Sequence, residues 1–222
     1  MGDWKGLWIC IDGADYTGKG EQTRRLASRL NELHEDNDVL LTHEPTRRAR
    51  EIKRKLREEP DAYSDGLKLA ELYVDDRIQH EREVILPLLN IGGIVISNRH
   101  KYSTDAYQHA QRVPYYKLHE LQQKRGVHTP DLTLFLEIDS PTLIERMRSR
   151  NISADKFEGS REFQETVREK YRLLARLAPS DSSYFGIVHT LDGKGSKESV
   201  EGKIFEVVNP VYEQWATQWE HL

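Results

Sequence analysis

Leu7-Trp8-Ile9-Cys10-Ile11-Asp12-Gly13-Ala14-Asp15-Tyr16-Thr17-Gly18-Lys19-Gly20 is the stretch on which the fold turns. Its five successive apolar residues show no polar alternation, so they read as a strand buried on both faces, as a parallel sheet requires. Asp12-Gly13 ends that strand. From Gly13 to Lys19 the spacing is G-x-x-x-x-G-K, that of a loop whose backbone N–H groups curl round phosphate oxygens. The next helix adds positive potential at its N-terminus, and the lysine neutralises the outer phosphates. A glycine-rich turn without a ligand is the plainer reading. What favours phosphate is position, at the one junction of first strand and first helix where that chemistry needs it. The residues assigned to the phosphates are Gly13, Ala14, Asp15, Tyr16, Thr17, Gly18, Lys19, Gly20 and Glu21. Gly20 stands where such loops offer a Ser or Thr hydroxyl to nucleotide-bound Mg²⁺, and Thr23, one turn on, points elsewhere.

Outward from this unit, strands and helices alternate. A helical pattern from Gly18 to His34 carries Leu26, Leu30 and Leu33, and Val39-Leu40-Leu41 reads as a second strand. A long helix is expected from Tyr63 to Leu89, with Leu67, Ala70, Val74, Ile78, Ile85 and Leu88 on its apolar stripe. Three further strands follow: Ile94-Val95-Ile96, Leu132 to Ile138, and Ile187 to Leu191. Ser140-Pro141 opens a helix running to Arg150. A last helix from Ser196 to Leu222 places Val200, Ile204, Val207 or Val208, Val211, Trp215 and Trp219 on one stripe, and Pro210 is expected to kink or split it. Alternating strands and helices imply an α/β domain with a parallel sheet and helices on both faces. The polar stretch Asn151 to Gly159 reads as a mobile loop rather than a domain boundary.

Composition narrows the function. With 222 residues, 37 % hydrophobic and 32 % charged, the chain suits one compact domain, and a net charge of −4 provides no basic field for nucleic acid. The apolar stretch Ile85 to Ile96 is broken by Pro87, Asn90, Gly92 and Gly93, short of the roughly 20 residues that span a bilayer. Met1 to Lys5 shows no signal peptide, and a single Cys10 suits a reducing compartment, so cytoplasm is expected.

Four more segments carry chemistry: His43-Glu44-Pro45-Thr46-Arg47, Tyr73-Val74-Asp75-Asp76-Arg77, Asn98 to Gln108, and Pro130-Asp131-Leu132-Thr133-Leu134. Tyr73 and Arg77, four apart, share a helix face and can offer a ring and a guanidinium to one ligand. The bland alternative is that Tyr73 packs and Arg77 pairs with Glu81. Arg47 to Arg57 likewise reads equally as a solvated basic helix.

With the phosphate loop, in this order and spacing, these segments resemble the thymidylate kinases, a group of nucleoside monophosphate kinases. The likeness runs from the first strand to beyond Asp155-Lys156-Phe157-Glu158, which is similar to the family's D-R-[IF]-E lid. It implies a three-layer P-loop NTPase fold with a five-stranded parallel sheet, a single domain over residues 1–222 and a small mobile lid around 148–161. It also implies transfer of a phosphoryl group from ATP, with Mg²⁺, to a deoxynucleoside monophosphate, dTMP first among them, by a homodimer handling small nucleotides. On that resemblance Lys19, Arg99 and Arg150 are catalytic. The acceptor lies among Asp15, Glu44, Arg47, Tyr73, Arg77, Arg99, Thr104, Tyr107 and Gln108, with Tyr73 stacked on the base and Asp15 meeting the sugar 3′-hydroxyl. Arg146, Arg148, Arg150, Lys156 and Arg161 supply lid cations, and Asp12, Glu44 and Asn98 hold the metal through water. Three residues depart from the family pattern. Gly20 lacks the hydroxyl, Asn98 replaces an aspartate, and His43 replaces an arginine, which weakens acceptor binding at neutral pH. Rival readings are a catalytically weak or inactive nucleotide-binding homologue, or a kinase of this fold with another acceptor.

Overall fold

The structure, a computed structural model, describes residues 4–33, 38–47, 49–58, 65–149 and 161–218. Strands β1 (Leu7–Asp12), β2 (Val39–His43), β3 (Ile94–Asn98), β4 (Leu132–Glu137) and β5 (Ile187–Asp192) form one parallel sheet in the order β2-β3-β1-β4-β5. Between and after them run α1 (Lys19–Leu33), α2 (Arg50–Glu58), α3 (Gly66–His80), α4 (Leu86–Asn90), α5 (Lys101–Ala110), α6 (Tyr115–Lys124), α7 (Ser140–Ser149), α8 (Arg161–Leu177), α9 (Ser182–Phe185) and α10 (Lys197–Ala216).

Strand β1 is central, and all six of its residues are buried. Its alternation separates two layers. Leu7, Ile9 and Ile11 pack with Leu26 and Leu30 of α1 and with Val200, Ile204 and Val208 of α10. Trp8 faces the other way, with Ile85, Leu89 and Val95. Asp131, just before β4, accepts hydrogen bonds from the Trp8 backbone N–H at 2.9 Å and from Trp4 Nε1 at 3.0 Å, so it pins the start of the central strand. The chain leaves β1 on one side and β3 on the other, which opens a crevice at their carboxyl ends. There Ile11 is in register with Asn98, and the Arg99 N–H donates to the Ile11 carbonyl at 3.0 Å. The phosphate loop and Arg99 are neighbours for that reason.

Two helices differ from expectation. The long helix forms as α3, a π-helical turn over Glu81–Ile85, and α4. A π turn inserts one extra residue, so the buried face moves. Leu69, Ala70, Val74, Ile85 and Leu89 are buried instead of the full expected stripe, and Arg77, His80 and Glu81 are buried with them. Those polar groups are tolerated because each has a partner. Glu81 accepts from His100 Nε2 at 2.9 Å and from His128 Nδ1 at 2.8 Å. Burial pushes the Glu81 carboxyl up, but the two histidines outweigh it and hold it at about 2. The last helix is one element through Pro210 rather than split. Glu206 and Pro210 both lie on the exposed side, where water can take the carbonyl that proline leaves without a donor. The buried stripe of α10 is completed by Tyr212 and Trp215. Tyr63, Trp219 and the stretch 150–160, with most of the expected lid, lie outside the described residues.

Candidate active site

At the end of β1 the fully buried Asp12 carboxylate accepts from the N–H of Gly13 (2.8 Å) and His100 (3.3 Å) and from the hydroxyls of Ser103 and Tyr171 (both 2.7 Å). It fixes the turn that follows. Gly13 has φ +142°, and a Cβ there would stand 2.5 Å from the Leu136 carbonyl oxygen, so only glycine fits. The loop then wraps a cavity of about 690 Å³ lined by Asp15 to Gln22, with Asn98, Arg99 and Arg146 at its walls. Lys19 Nζ donates to the Ala14 carbonyl at 2.5 Å, which curls the chain back over its own start.

Beside it a second cavity, of about 240 Å³, is lined by Asp15, Glu44, Pro45, Leu56, Tyr73, Arg77, Arg99, Ser103, Thr104, Tyr107 and Gln108. Its back wall is charged but internally matched: Arg77 Nε donates to Glu44 Oε2 at 2.7 Å. Burial pushes the Glu44 carboxyl up, and the Arg77 guanidinium, His100 and His80 together outweigh it, leaving the group below its usual value. Gln108 is fully buried, yet among the described residues neither its amide oxygen nor its amide nitrogen has a partner. A buried amide without partners beside a cavity has a donor and an acceptor to offer a ligand.

Asp15 and Arg99 line both cavities. Arg99 is held by Ser103 Oγ at 3.1 Å, by the Tyr107 hydroxyl at 3.1 Å and by the Asp15 carboxylate, and it adopts φ +73°. That left-handed backbone is costly for a residue other than glycine and marks a position held by its surroundings. Burial pushes the Asp15 carboxyl up, but Arg99 and Lys19 pull it below its usual value. A polyanion in the first cavity and an anion in the second would therefore meet at one guanidinium.

The family model for thymidylate kinase matches residues 11–204 of the chain. The chain belongs to the thymidylate kinase family. It is 33 % identical over 208 residues to a thymidylate kinase of Ruegeria pomeroyi, covering 91 % of this chain and 94 % of that one. It is 30 % identical over 217 residues to one of Trichormus variabilis, covering 95 % and 99 %. The crystal structure of a thymidylate kinase from Ehrlichia chaffeensis superposes with a TM-score of 0.71 at 24 % identity, covering 91 % and 98 %, and so shares the fold.

Not every residue assigned by likeness to the thymidylate kinases lies where the sequence suggests. Arg77 pairs with Glu44, not with Glu81. Arg47 and His43 face a separate groove at the sheet edge, with Thr42, Asp76 and His80. Strand alternation turns His43 away from buried Glu44, and the Asp76 carboxylate ties Thr46 by its N–H (2.8 Å) and hydroxyl (2.6 Å), so Arg47 continues outward. Neither lines the second cavity. Arg146, on α7, stands at the wall of the loop cavity. Its guanidinium donates to the carbonyls of Tyr16 (3.0 Å), Thr17 (3.1 Å) and Gly193 (2.9 Å) and braces the phosphate loop. Arg148 and Arg161 are exposed and line neither cavity, and Arg150 and Lys156 lie outside the described residues. Gly13 and Ala14 shape the loop without lining the cavity, and the Glu21 N–H is committed to the Gly18 carbonyl at 3.0 Å.

The metal assignments thin out in the same way. Asp12 is fully buried, lines neither cavity and accepts from four protein donors, three on Oδ1 and one on Oδ2, and Glu44 lines the second cavity. Thr23 Oγ1 bonds back to the Lys19 carbonyl at 3.0 Å. Asn98 alone of the three faces the loop cavity, with its buried Oδ1 lacking a partner. Among the described residues no cluster of three or more His, Cys, Asp or Glu could hold a metal. Of the three residues, Asn98 is the one that would hold a magnesium ion, through one of its waters on Oδ1.

Sequence reasoning misses Leu56 in the second cavity and Gly193, Gly195, Ser196 and Lys197 in the loop cavity. It also misses Gln164, whose amide nitrogen donates to Asp15 Oδ2 at 3.0 Å while its oxygen accepts from the Asp15 N–H at 3.2 Å. No motif signals these residues. Only the approach of α8 and the β5–α10 loop to the phosphate loop brings Gln164 and the 193–197 segment in.

Proposed function

We propose that the protein transfers the γ-phosphoryl group of ATP to dTMP, giving dTDP and ADP. The observation that carries this reading is the wall shared by the two cavities, made by Asp15 and Arg99. The loop amides and Lys19 hold the β- and γ-phosphates. The acceptor phosphate lies across the Arg99 fork, Tyr73 stacks on the base, and Gln108 and Arg77 read its edge. Asp15 keeps lone pairs for the sugar 3′-hydroxyl beyond those used by Arg99 and Gln164. An acceptor phosphate oxygen attacks the γ-phosphorus, the bond to the β–γ bridging oxygen breaks, and ADP leaves with that electron pair. Little covalent work falls to the protein, so positioning and neutralisation by Lys19 and Arg99 supply most of the acceleration. Magnesium, when bound with the nucleotide, supplies further neutralisation of phosphate charge, and Asn98 would hold one of its waters. A homodimer and a cytoplasmic setting complete the reading. Among the described residues no helix is long and apolar enough to cross a membrane.

The test is to incubate the protein with ATP, Mg²⁺ and a panel of monophosphates. dTDP is expected, with Lys19→Ala lower by about a hundredfold or more. No diphosphate above the Lys19→Ala background for any member would reject the reading.

Gly20 and Asn98 support a second reading, a nucleotide-binding homologue with slow turnover. They also give a prediction. A Cβ on Gly20 would stand 3.5 Å from Asn98 Nδ2 and 3.9 Å from Arg24 Nη1, ordinary contacts, so a hydroxyl can be added without strain. Gly20→Ser is expected to lower the magnesium concentration for half-maximal rate about fivefold, the worth of roughly one added polar ligand. An unchanged magnesium requirement would show that the missing hydroxyl is immaterial, and tight dTMP binding by calorimetry without turnover in either form would establish the slow homologue.

A further inference from the structure

Arg77 carries five N–H groups and no acceptor, and the fold engages four of them. Nε donates to Glu44 Oε2 at 2.7 Å, Nη2 to the His100 carbonyl and to Thr104 Oγ1 at 3.1 Å each, and Nη1 to Gln122 Oε1 at 2.9 Å. Among the described residues one hydrogen remains without a protein acceptor, the second on Nη1, and Arg77 lines the acceptor cavity. A guanidinium is planar and rigid, so the acceptor placed on one Nη1 hydrogen fixes the line of the other.

Gln122, on α6, is itself held from behind. Its Nε2 donates to Asp105 Oδ1 at 2.7 Å, and Asp105 Oδ2 accepts from the Tyr184 hydroxyl at 2.7 Å. Arg77, Gln122, Asp105 and Tyr184 are all buried. The amide has only one satisfactory orientation. Turned over, it would set NH₂ against a guanidinium that only donates and C=O against a carboxylate that only accepts.

We propose that Gln122, backed by Asp105 and Tyr184, is a positioning residue for acceptor specificity. It aims the remaining Arg77 N–H at a carbonyl on the base edge, so that a pyrimidine with a C4 carbonyl is taken in preference to one with a C4 amino group. A donor-only group facing an amino group leaves both unpaired in a buried site, which is where large discrimination arises. Gln122 touches no substrate; it acts through Arg77. The inference rests on the acceptor reading above.

The experiment compares dTMP with dCMP for wild type, Gln122→Met and the exchange Gln122→Glu/Asp105→Asn. Methionine keeps the volume and removes the acceptor. The exchange keeps the charge, the acceptor facing Arg77 and a hydrogen bond between the two side chains, now with its direction reversed: the new carboxylate accepts from Arg77 and from the new amide. Gln122→Met is expected to raise KM for dTMP about tenfold and to cut the dTMP-over-dCMP preference about twentyfold, with kcat and KM for ATP within about twofold of wild type. The exchange is expected to restore the preference to within about threefold. A folded Gln122→Met with unchanged preference, or an exchange that fails to restore it, overturns the inference. If Gln122→Met does not fold, Tyr184→Phe, which removes the phenol that donates to Asp105 and accepts from Gln122 Nε2, should still lower the preference about threefold, and no change there overturns the inference equally. Should wild type phosphorylate neither nucleotide, the acceptor reading fails first. Calorimetric binding of dTMP then decides this one, since an unaltered Kd in Gln122→Met would refute it.

Discussion

Arg99→Ala is expected to lower kcat for phosphoryl transfer about a thousandfold, the scale at which an arginine on a transferring phosphoryl group acts. The size follows from place. Among the described residues Arg99 is the one cation that lines both cavities. Lys19 serves the loop cavity alone, and Arg77, on the acceptor side, is bound to Glu44. Arg99→Lys should recover little, because a point charge cannot bridge two phosphates as a planar fork does. The backbone supplies a control. Because φ at this residue is +73°, Arg99→Gly suits the conformation better than Arg99→Ala, yet both should lose the same activity if the guanidinium is what matters. Steady-state rates for the three variants decide it. Retention of more than about a tenth of kcat in Arg99→Gly would remove Arg99 from the transfer step.

How far the sequence discloses such a site depends on whether local rules or tertiary ones place each residue. The phosphate loop is legible because one short segment carries the strand, the turn and the helix start, and Gly13 and Gly18 mark backbone that other residues rarely adopt. All five strands are legible as apolar runs, and in the three central ones, β1, β3 and β4, cover on both faces favours apolar side chains. Tyr73, Arg77, Thr104 and Gln108 reach the acceptor cavity as helical spacing and family likeness suggest. His43 and Arg47 do not follow, because strand alternation and the Asp76 tether decide their direction and motif likeness is silent about both. The Arg77, His80 and Glu81 cluster breaks an apolar stripe that a count of hydrophobic residues assumes, and its burial is tolerated only through Glu44, His100 and His128, remote in sequence. Gln122 and Gln164 illustrate the limit. A glutamine carries no signature, and each acquires a role only when another helix delivers its amide to a charged partner.

That dependence on a partner gives the second large effect. Arg77→Met is expected to cost about 3–5 kcal/mol, because it leaves the buried Glu44 carboxylate without its ion pair. Glu44→Gln should cost less, about 1–3 kcal/mol, since a neutral amide remains to accept from Arg77. Combining them should cost less than their sum, as neither charge is then stranded. The pH dependence separates this from a packing defect. In the wild type the Glu44 carboxyl lies below 4.5 when folded, so its contribution is complete above about pH 4.5 and is lost as pH falls through the lower folded value. In Arg77→Met the sign reverses. Burial without the guanidinium raises the carboxyl above its usual value, the folded state then binds a proton more readily than the unfolded chain, and the variant gains stability on acidification. His80 and His100 face the same carboxylate. Urea unfolding at about pH 7 and about pH 5 should therefore show the Arg77→Met penalty shrinking by roughly 1 kcal/mol or more at the lower pH. A penalty equal at both would mean that the methionine leaves a cavity rather than an unpaired charge, and that the Glu44–Arg77 pair contributes shape to the acceptor wall but little electrostatic energy to the fold.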